Sequence, residues 1–241
     1  MMKKLAIIPA RYASTRFPGK PMIDLAGKSM VQRVWEGVMQ SGLFEEVVVA
    51  TDDDRIANHV ASFDGKAILT DESHDSGTDR CGEVLQEYDE YDIVVNIQGD
   101  EPLVNVEQLR VLIEAFDDPN VQIATLGSPK INESDIQDPN RIKIVLDQQS
   151  DALYFSRSAI PYQRNTEEYP FLKHIGLYGF RSVVLKELVK LTPTKLEKTE
   201  SLEQLRWMFY GYKIRVMETQ IETPNIDTPE DVDAVLKQLK V

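Results

Sequence analysis

Three cations, Arg11, Arg16 and Lys20, lie in the string IIPARYASTRFPGKP, which spans residues 7–21. The same string carries two hydroxyl side chains, Ser14 and Thr15. The first 33 residues hold seven Lys or Arg and one Asp, a local net charge of +6, so the rest of this −13 chain carries −19. A basic loop in an acidic chain indicates that it binds a polyanion. Three cations suit a triphosphate, whose charge must be neutralised before a nucleophile approaches.

The charges of this loop alone have a second interpretation, in which all three are solvated side chains without a ligand. Two other phosphate-binding patterns are absent from the sequence. G-x-x-x-x-G-K-[ST], the P-loop, does not occur, and neither does G-x-G-x-x-G, which makes a dinucleotide cofactor improbable.

A second polar string, NIQGDEP at residues 96–102, follows an apolar run and predicts a magnesium site. Magnesium bound with a nucleotide takes one or two carboxylates plus phosphate oxygens, and Asp100 is the natural ligand. Gly99 permits close backbone approach and Pro102 is expected to stop the strand. The alternative is an ordinary Gly-Asp turn. A second carboxylate, Asp227, precedes the last helix, where local turn chemistry explains an aspartate equally well.

Three further strings have a functional and a structural interpretation each. In SGTDR, residues 76–80, Thr78 could cap a helix and Arg80 could reach a ligand, or be a surface arginine. Arg157 ends an apolar strand and could bind a carboxylate through two parallel hydrogen bonds, or pair with one of many acidic residues. His174 and Tyr178 are four apart, so they share one face of a strand, where a lone histidine is more often structural.

The elements that would position these residues alternate along the first half. Near-continuous apolar runs predict buried strands: Leu5–Ile8, Val47–Ala50, Ala67–Leu69, Ile93–Ile97 and Ile123–Leu126. Helical patterns lie between them: Met30–Ser41, Asp53–Ser62, Thr78–Tyr88 and Val106–Phe116. Ser41-Gly42 is a stop signal, and Asn105 with Gln108 is typical of a helix start. Alternating strands and helices predict a mostly parallel, Rossmann-like sheet with helices on both faces.

The second half changes character. Strands are predicted at Ile142–Leu146, Ala152–Ser156, Ile175–Phe180 and Ile214–Met217. Two of them lack a long intervening helix, which favours a mixed sheet or an inserted subdomain. One amphipathic helical stretch, residues 200–206, should turn Leu202 and Leu205 to the core. Thr228-Pro229-Glu230-Asp231 predicts a capped final helix running to about Lys240. Without a repeat or linker, the expectation is an α/β fold in one domain, residues 1–241.

Composition narrows the classes of protein. A pI near 4.7 argues against nucleic acid as a partner. The single cysteine, Cys81, excludes an intrachain disulfide, suits a reducing cytoplasm and is expected to be a buried core residue. The N-terminal apolar run is too short for a signal peptide, and no run of 18 apolar residues exists. These features predict a cytoplasmic protein without a membrane partner.

Taken together, six strings resemble, in order, those of the bacterial 3-deoxy-manno-octulosonate (Kdo) cytidylyltransferases. The resemblance spans residues 7–235 and includes the closing string DTPED at 227–231. It implies a single nucleotidyltransferase domain that couples CTP with Kdo to give CMP-Kdo and pyrophosphate, for lipopolysaccharide synthesis. It also implies Mg²⁺ as the cofactor, CTP and Kdo as substrates, and a homodimer, with dimer and sugar contacts within about 127–212.

The resemblance assigns roles to individual residues. Arg11 and Lys20 would act in catalysis with Asp100 and Asp227, which share the metal. CTP would bind to the following residues: Pro9, Ala10, Arg11, Ser14, Thr15, Arg16, Lys20, Ser76, Gly77, Thr78, Arg80 and Gln98. Kdo would bind to these: Arg157, His174, Tyr178, Glu203 and Gln204. No residue stands out as a general base, so lowering of the hydroxyl pKa by the metal is the expected activation.

Alternatives remain open. Sialic acid cytidylyltransferases share the I-P-A-R opening but typically lack S-T-R-x-P-G-K-P, and an 8-amino-Kdo enzyme could differ by one or two pocket residues. A non-catalytic nucleotide-sugar sensor could use the same scaffold. Retention of both aspartates and all three cations favours an enzyme.

Overall fold

The computed structural model describes residues 2–13, 17–165, 169–226 and 228–239. These residues include nine strands: β1 (Lys4–Pro9), β2 (Glu46–Thr51), β3 (Lys66–Leu69), β4 (Ile93–Asn96), β5 (Ile123–Ser128), β6 (Lys143–Leu146), β7 (Ala152–Ser156), β8 (Leu172–Arg181) and β9 (Ile214–Glu218). Nine α-helices lie within the described ranges: α1 (Met30–Ser41), α2 (Asp54–Ala61), α3 (Gly77–Val84), α4 (Val106–Glu114), α5 (Glu133–Gln137), α6 (Ser182–Leu188), α7 (Lys195–Glu200), α8 (Gln204–Phe209) and α9 (Val232–Leu239). The predicted α/β class is confirmed.

The chain divides into two compact units. The first comprises Met1–Leu109 and Thr223–Val241, and the second comprises Arg110–Glu222. In the described part of the chain, no helix has the length and apolar character needed to cross a membrane.

The first unit is built on a parallel sheet. Its strand order is β3-β2-β1-β4, and all three pairings are parallel. Successive strands β1 to β3 run outward on one side, and the chain then returns to place β4 on the other side of β1. Order therefore reverses between β1 and β4. In open α/β sheets, ligands bind at such a switch point, beyond the carboxyl ends of the strands.

Local chemistry sets the ends of the first unit's helices. Ser29 accepts a hydrogen bond from the Gln32 amide (3.2 Å) and begins α1, and Gly42, at φ +63°, ends it. Asn105 accepts from the Gln108 amide (3.2 Å) at the start of α4, as predicted. The predicted cap at Thr228 is also confirmed, since Thr228 and Asp231 form a reciprocal capping box. Pro229–Asp231 is a 3₁₀ turn that leads into α9.

The final helix holds the preceding segment in the first unit's core. Val235 of α9 is buried in one cluster with Leu25, Met30 and Ile226, each 0% exposed. Burying each such side chain stabilises the fold by about 1.5–3 kcal/mol. The cluster fixes Ile226, which lies immediately before Asp227, in a defined place.

The second unit has the mixed sheet that the sequence predicted. Strand β5 pairs antiparallel with β8 and parallel with β9. Strand β6 pairs antiparallel with both β7 and β8. The register of the β5–β8 ladder shifts beside His174 and Tyr178, because Leu126 pairs with Ile175 whereas Thr125 pairs with Tyr178.

Three details of the predicted elements were wrong. Strand β4 ends at Asn96, so Pro102 does not terminate it. Helix α3 ends at Val84, where a turn replaces the predicted continuation to Tyr88. The stretch 200–206 is not one helix, because Ser201 adopts φ +51° and closes α7 before α8 begins at Gln204. Leu202 and Leu205 are buried nevertheless, as predicted.

Candidate active site

A cleft of about 220 Å³ lies in the first unit where β1 and β4 end. Its lining residues are Pro9, Ala10, Arg11, Lys20, Pro21, Met30, His74, Asp75, Ser76, Gly77, Arg80, Gln98, Gly99 and Asp100. This is the position that the strand order favours for a ligand. The structure thus brings together residues from three separate strings of the sequence.

Glycine is required where the two strand ends meet. A Cβ atom on Gly99 would lie 2.6 Å from the carbonyl oxygen of Pro9, closer than real Cβ contacts permit. The expected close backbone approach at Gly99 is therefore present, and its partner is the backbone of Pro9. Gln98 and Asp100 consequently stand beside the end of β1 in the wall of the cleft.

Lys20 and Asp100 form an ion pair in this cleft. Lys20 Nζ donates to Asp100 Oδ2 (2.8 Å) and to the backbone carbonyl of Ile226 (2.8 Å). The Ile226 amide in turn donates to the Asp100 carbonyl oxygen (2.9 Å). One lysine therefore ties the loop after β4 to the segment that precedes Asp227.

Glu101 is the titratable neighbour of this pair that sequence reasoning did not select. Burial and, to a smaller extent, the charge of Asp100 raise the pKa of the Glu101 carboxyl to about 7, against the opposing effect of a hydrogen bond from Thr223. Its position directly after Asp100 was the only indication of Glu101 in the sequence, and the burial that raises its pKa depends on tertiary packing.

The start of α3 forms another wall. The expectation that Thr78 caps this helix was wrong, because α3 begins at Gly77 and Ser76 is the cap. Ser76 Oγ accepts from the Asp79 amide (3.1 Å) and donates to Asp79 Oδ2 (2.9 Å). Thr78 is buried, with 4% of its surface exposed, and Ser76 and Gly77 face the cleft.

Arg80 lines the same wall as a rigidly held cation. It is 3% exposed. Its guanidinium donates to Asp52 Oδ2 (2.8 Å) and to the hydroxyl of Thr70. Because these two hydrogen bonds hold the buried guanidinium in place, Arg80 presents a fixed positive charge to the cleft.

Arg11 is exposed at the mouth of the cleft. Four predicted residues, Ser14, Thr15, Arg16 and Asp227, lie outside the residues that the structure describes. Four lining residues were missed by sequence reasoning: Pro21, Met30, His74 and Asp75. His74 and Asp75 immediately precede S-G-T-D-R, which was the only signal available for them.

In the second unit, His174 and Tyr178 are neighbours on β8, with ring centroids 5.3 Å apart. The hydroxyl of Thr125 donates to the Leu177 carbonyl (2.8 Å), so it accepts from His174 Nε2–H (2.9 Å). This arrangement leaves His174 Nδ1 as an acceptor. Burial lowers the pKa of His174 to about 3, which keeps the ring neutral near pH 7.

Tyr178 has a buried hydroxyl that makes no hydrogen bond of regular geometry within the described ranges, with the Thr125 side chain as its polar neighbour. Its ring packs edge-on against Trp207 at 5.2 Å. Burial raises the pKa of the phenol well above its usual value, and the charge of Glu203 raises it further. Gln204, the first residue of α8, is 5% exposed. A buried hydroxyl without a partner costs about 1–3 kcal/mol, which is typical of groups that meet a ligand.

Arg157 is held by backbone carbonyls of its own unit. Its guanidinium donates to Glu200 O (2.6 Å), Pro139 O (2.9 Å) and Ser201 O (3.3 Å). Arg157 thereby caps the carboxyl end of α7, where a cation is favourable. Its expected contact with a substrate carboxylate stays a prediction.

Comparisons with known proteins place the chain in a class of enzymes. Residues 5–215 match the cytidylyltransferase family. The 3-deoxy-manno-octulosonate cytidylyltransferase of Parabacteroides distasonis is 52% identical, and the match covers 98% of each chain. The corresponding protein of Phocaeicola vulgatus is 49% identical with the same coverage. A solved CMP:2-keto-3-deoxy-manno-octonic acid synthetase, complexed with CTP, is 44% identical, with a TM-score of 0.94 over 99% of this chain and 98% of that one.

The fold and the matched family are those of a nucleotidyltransferase. More narrowly, the chain belongs to the 3-deoxy-manno-octulosonate cytidylyltransferase family, as its sequence predicted.

Proposed function

We propose that this protein transfers CMP from CTP to the anomeric hydroxyl of Kdo, which activates Kdo for lipopolysaccharide synthesis. The hydroxyl oxygen attacks the α-phosphorus, and pyrophosphate leaves. The observation that carries the proposal is the cleft at the β1–β4 switch point, where Arg11, Lys20 and Arg80 meet Asp100. The family of the chain supports the same chemistry.

The cleft supplies charge and position for the nucleotide. Arg11 and Lys20 neutralise the triphosphate, with Ser14, Thr15 and Arg16 assigned to the same loop from sequence. Pro9, Ala10, Ser76 and Gly77 line the cleft together with Arg80, which offers a fixed charge. A phosphoryl transfer of this kind depends mainly on such positioning and charge stabilisation.

Magnesium fits the donors that this cleft provides. Asp100 presents a carboxylate, the hard oxygen donor that magnesium prefers, and it stands among the cations expected to hold phosphate. Asp227 would be the second carboxylate, and the bond from the Ile226 amide to Asp100 O supports that pairing. The ion, when bound, would lower the pKa of the attacking hydroxyl and offset phosphate charge.

Kdo would bind in the second unit beside His174 and Tyr178. The neutral His174 offers Nδ1 as an acceptor, which suits a sugar hydroxyl. The Tyr178 phenol offers a donor that makes no hydrogen bond of regular geometry in the described residues. Glu203 and Gln204 are proposed to bind further hydroxyls, and Arg157 the carboxylate. A cytoplasmic homodimer, with contacts in residues 127–212, completes the proposal on the basis of the family resemblance.

Pyrophosphate release tests the proposal. The protein is given CTP and Mg²⁺ with Kdo, 8-amino-Kdo or sialic acid, and the Kdo reaction is repeated with ATP or GTP. Kdo with CTP should be the best pair by a wide margin. Comparable turnover with a purine triphosphate, or preference for another sugar, would overturn the assignment.

A further inference from the structure

The ring of Tyr12 contacts both Gly19 and Arg55. The Gly19 amide donates to the Tyr12 carbonyl (2.9 Å). Gly19 has φ +72°, and a Cβ atom there would lie 3.2 Å from Tyr12 Cζ. Glycine therefore satisfies both the backbone conformation and the packing against the tyrosine ring.

Arg55 covers the Tyr12 ring. Its guanidinium carbon lies 3.4 Å from the ring centroid. Nε and Nη2 of Arg55 donate to Asp53 Oδ1 (2.9 Å) and Oδ2 (2.6 Å). Asp53 also accepts from the Arg55 amide as the N-cap of α2. This two-point ion pair fixes the guanidinium plane, which is the geometry that stacking on an aromatic ring requires.

These contacts connect the β2–α2 loop to the cations of the cleft. Tyr12 directly follows Arg11, and Gly19 directly precedes Lys20. Fixing Tyr12 against Gly19 therefore fixes the backbone positions of Arg11 and Lys20 relative to each other. Asp52, next to Asp53, holds Arg80 of the same cleft.

We propose that Tyr12 and Arg55 are positioning residues that set the spacing of Arg11 and Lys20 for the triphosphate. The proposal rests on the proposed CTP-dependent function. Arg55 does not line the cleft, and the Nε–Nη2 edge of its guanidinium is committed to Asp53. It acts through Tyr12 and does not contact phosphate.

The test compares Arg55→Ala, Arg55→Lys, Tyr12→Leu and Tyr12→Phe, with Arg110→Ala as a matched exposed arginine on α4. Calorimetry measures CTP binding without sugar, steady-state kinetics give kcat and the KM for CTP, and hydrogen exchange follows the Gly19 amide. Arg55→Ala and Tyr12→Leu should speed Gly19 exchange and weaken CTP binding about two- to fivefold, the size of an exposed cation–π contact.

In these variants the KM for CTP should rise while kcat stays within about twofold. The misplaced cations would hold the triphosphate less tightly before the reaction and in the transition state alike. Tyr12→Phe keeps the stacked ring and should keep slow Gly19 exchange. The double variant Arg55→Ala, Tyr12→Leu should bind CTP no more weakly than Tyr12→Leu alone, since both substitutions remove the same Arg55–Tyr12 contact.

Two results would overturn the proposal. In the first, Arg55→Ala and Arg110→Ala have the same rate of Gly19 amide exchange and the same affinity for CTP. The other is full retention of CTP affinity by Arg55→Lys together with fast Gly19 exchange, because Arg55 would then act by charge alone. If the unaltered protein bound no CTP, the proposed function would fail, and Gly19 exchange would still decide whether Arg55 holds Tyr12.

Discussion

Lys20 Nζ lies 2.8 Å from Asp100 Oδ2, and the two residues are 80 positions apart in the chain. The side chains of Lys20 and Asp100 are 14% and 27% exposed, so the pair is partly shielded from solvent. A loop cation expected to hold phosphate is thus paired with the carboxylate expected to hold the metal. Each group keeps the other in the cleft and ready for a ligand of opposite charge.

Lys20→Met should lower kcat by about two to three orders of magnitude, the cost of losing one donor aimed at developing charge. The loss should exceed any change in the melting temperature, because a partly exposed ion pair contributes only about 1 kcal/mol to stability. Pyrophosphate release and thermal unfolding measure the two effects separately.

Lys28→Met is the matched control for this variant. Lys28 belongs to the same unit and pairs with Glu36, but it does not line the cleft. It should keep the parent's kcat. Similar losses in both lysine variants would show that general stability, and not phosphate neutralisation, explains the result.

The local parts of this structure could be predicted from sequence, and the long-range parts could not. Buried parallel strands read as continuous apolar runs, and caps such as Thr228 depend on residues within one turn. The Lys20–Asp100 pair depends on two strand ends meeting in space. Arg157 shows the limit clearly, because it contacts Glu200 O and Ser201 O at the left-handed turn that ends α7, and Pro139 O from a distant part of the chain. No local pattern encodes that turn.

Asp100→Asn and Asp227→Asn should each nearly abolish turnover while the protein stays folded. If both carboxylates hold one metal, the double variant should be little worse than the worse single variant, because parts of one catalytic unit are strongly non-additive. The magnesium concentration needed for half-maximal rate should rise in both single variants. A magnesium titration of kcat tests this, and multiplying losses with unchanged magnesium dependence would make Asp227 a turn residue only.

His174 should make the fold sensitive to acid. Its pKa is lowered from 6.5 to about 3 by burial, so the unfolded chain takes up a proton before the folded one. The stabilisation is complete above pH 6.5 and is lost as pH falls toward 3. Between pH 6.5 and 5 this costs up to about 2 kcal/mol. His174→Gln should remove that part of the decline in urea unfolding, whereas His59→Gln, in the first unit, should retain it. An unchanged decline in His174→Gln would contradict the prediction.

Tyr178→Phe separates a ligand role of the Tyr178 hydroxyl from a structural one. The hydroxyl is buried and makes no hydrogen bond of regular geometry within the described ranges, so removing it should not destabilise the fold and could stabilise it by about 1 kcal/mol. If Kdo accepts that hydrogen bond, the KM for Kdo should rise about tenfold, with CTP binding unchanged. Tyr212→Phe is the control, since the Tyr212 hydroxyl donates to Glu187 on the surface. Steady-state kinetics with varied Kdo, beside urea unfolding, give both quantities. A clear loss of stability with an unaltered KM for Kdo would make Tyr178 a core residue without a substrate contact.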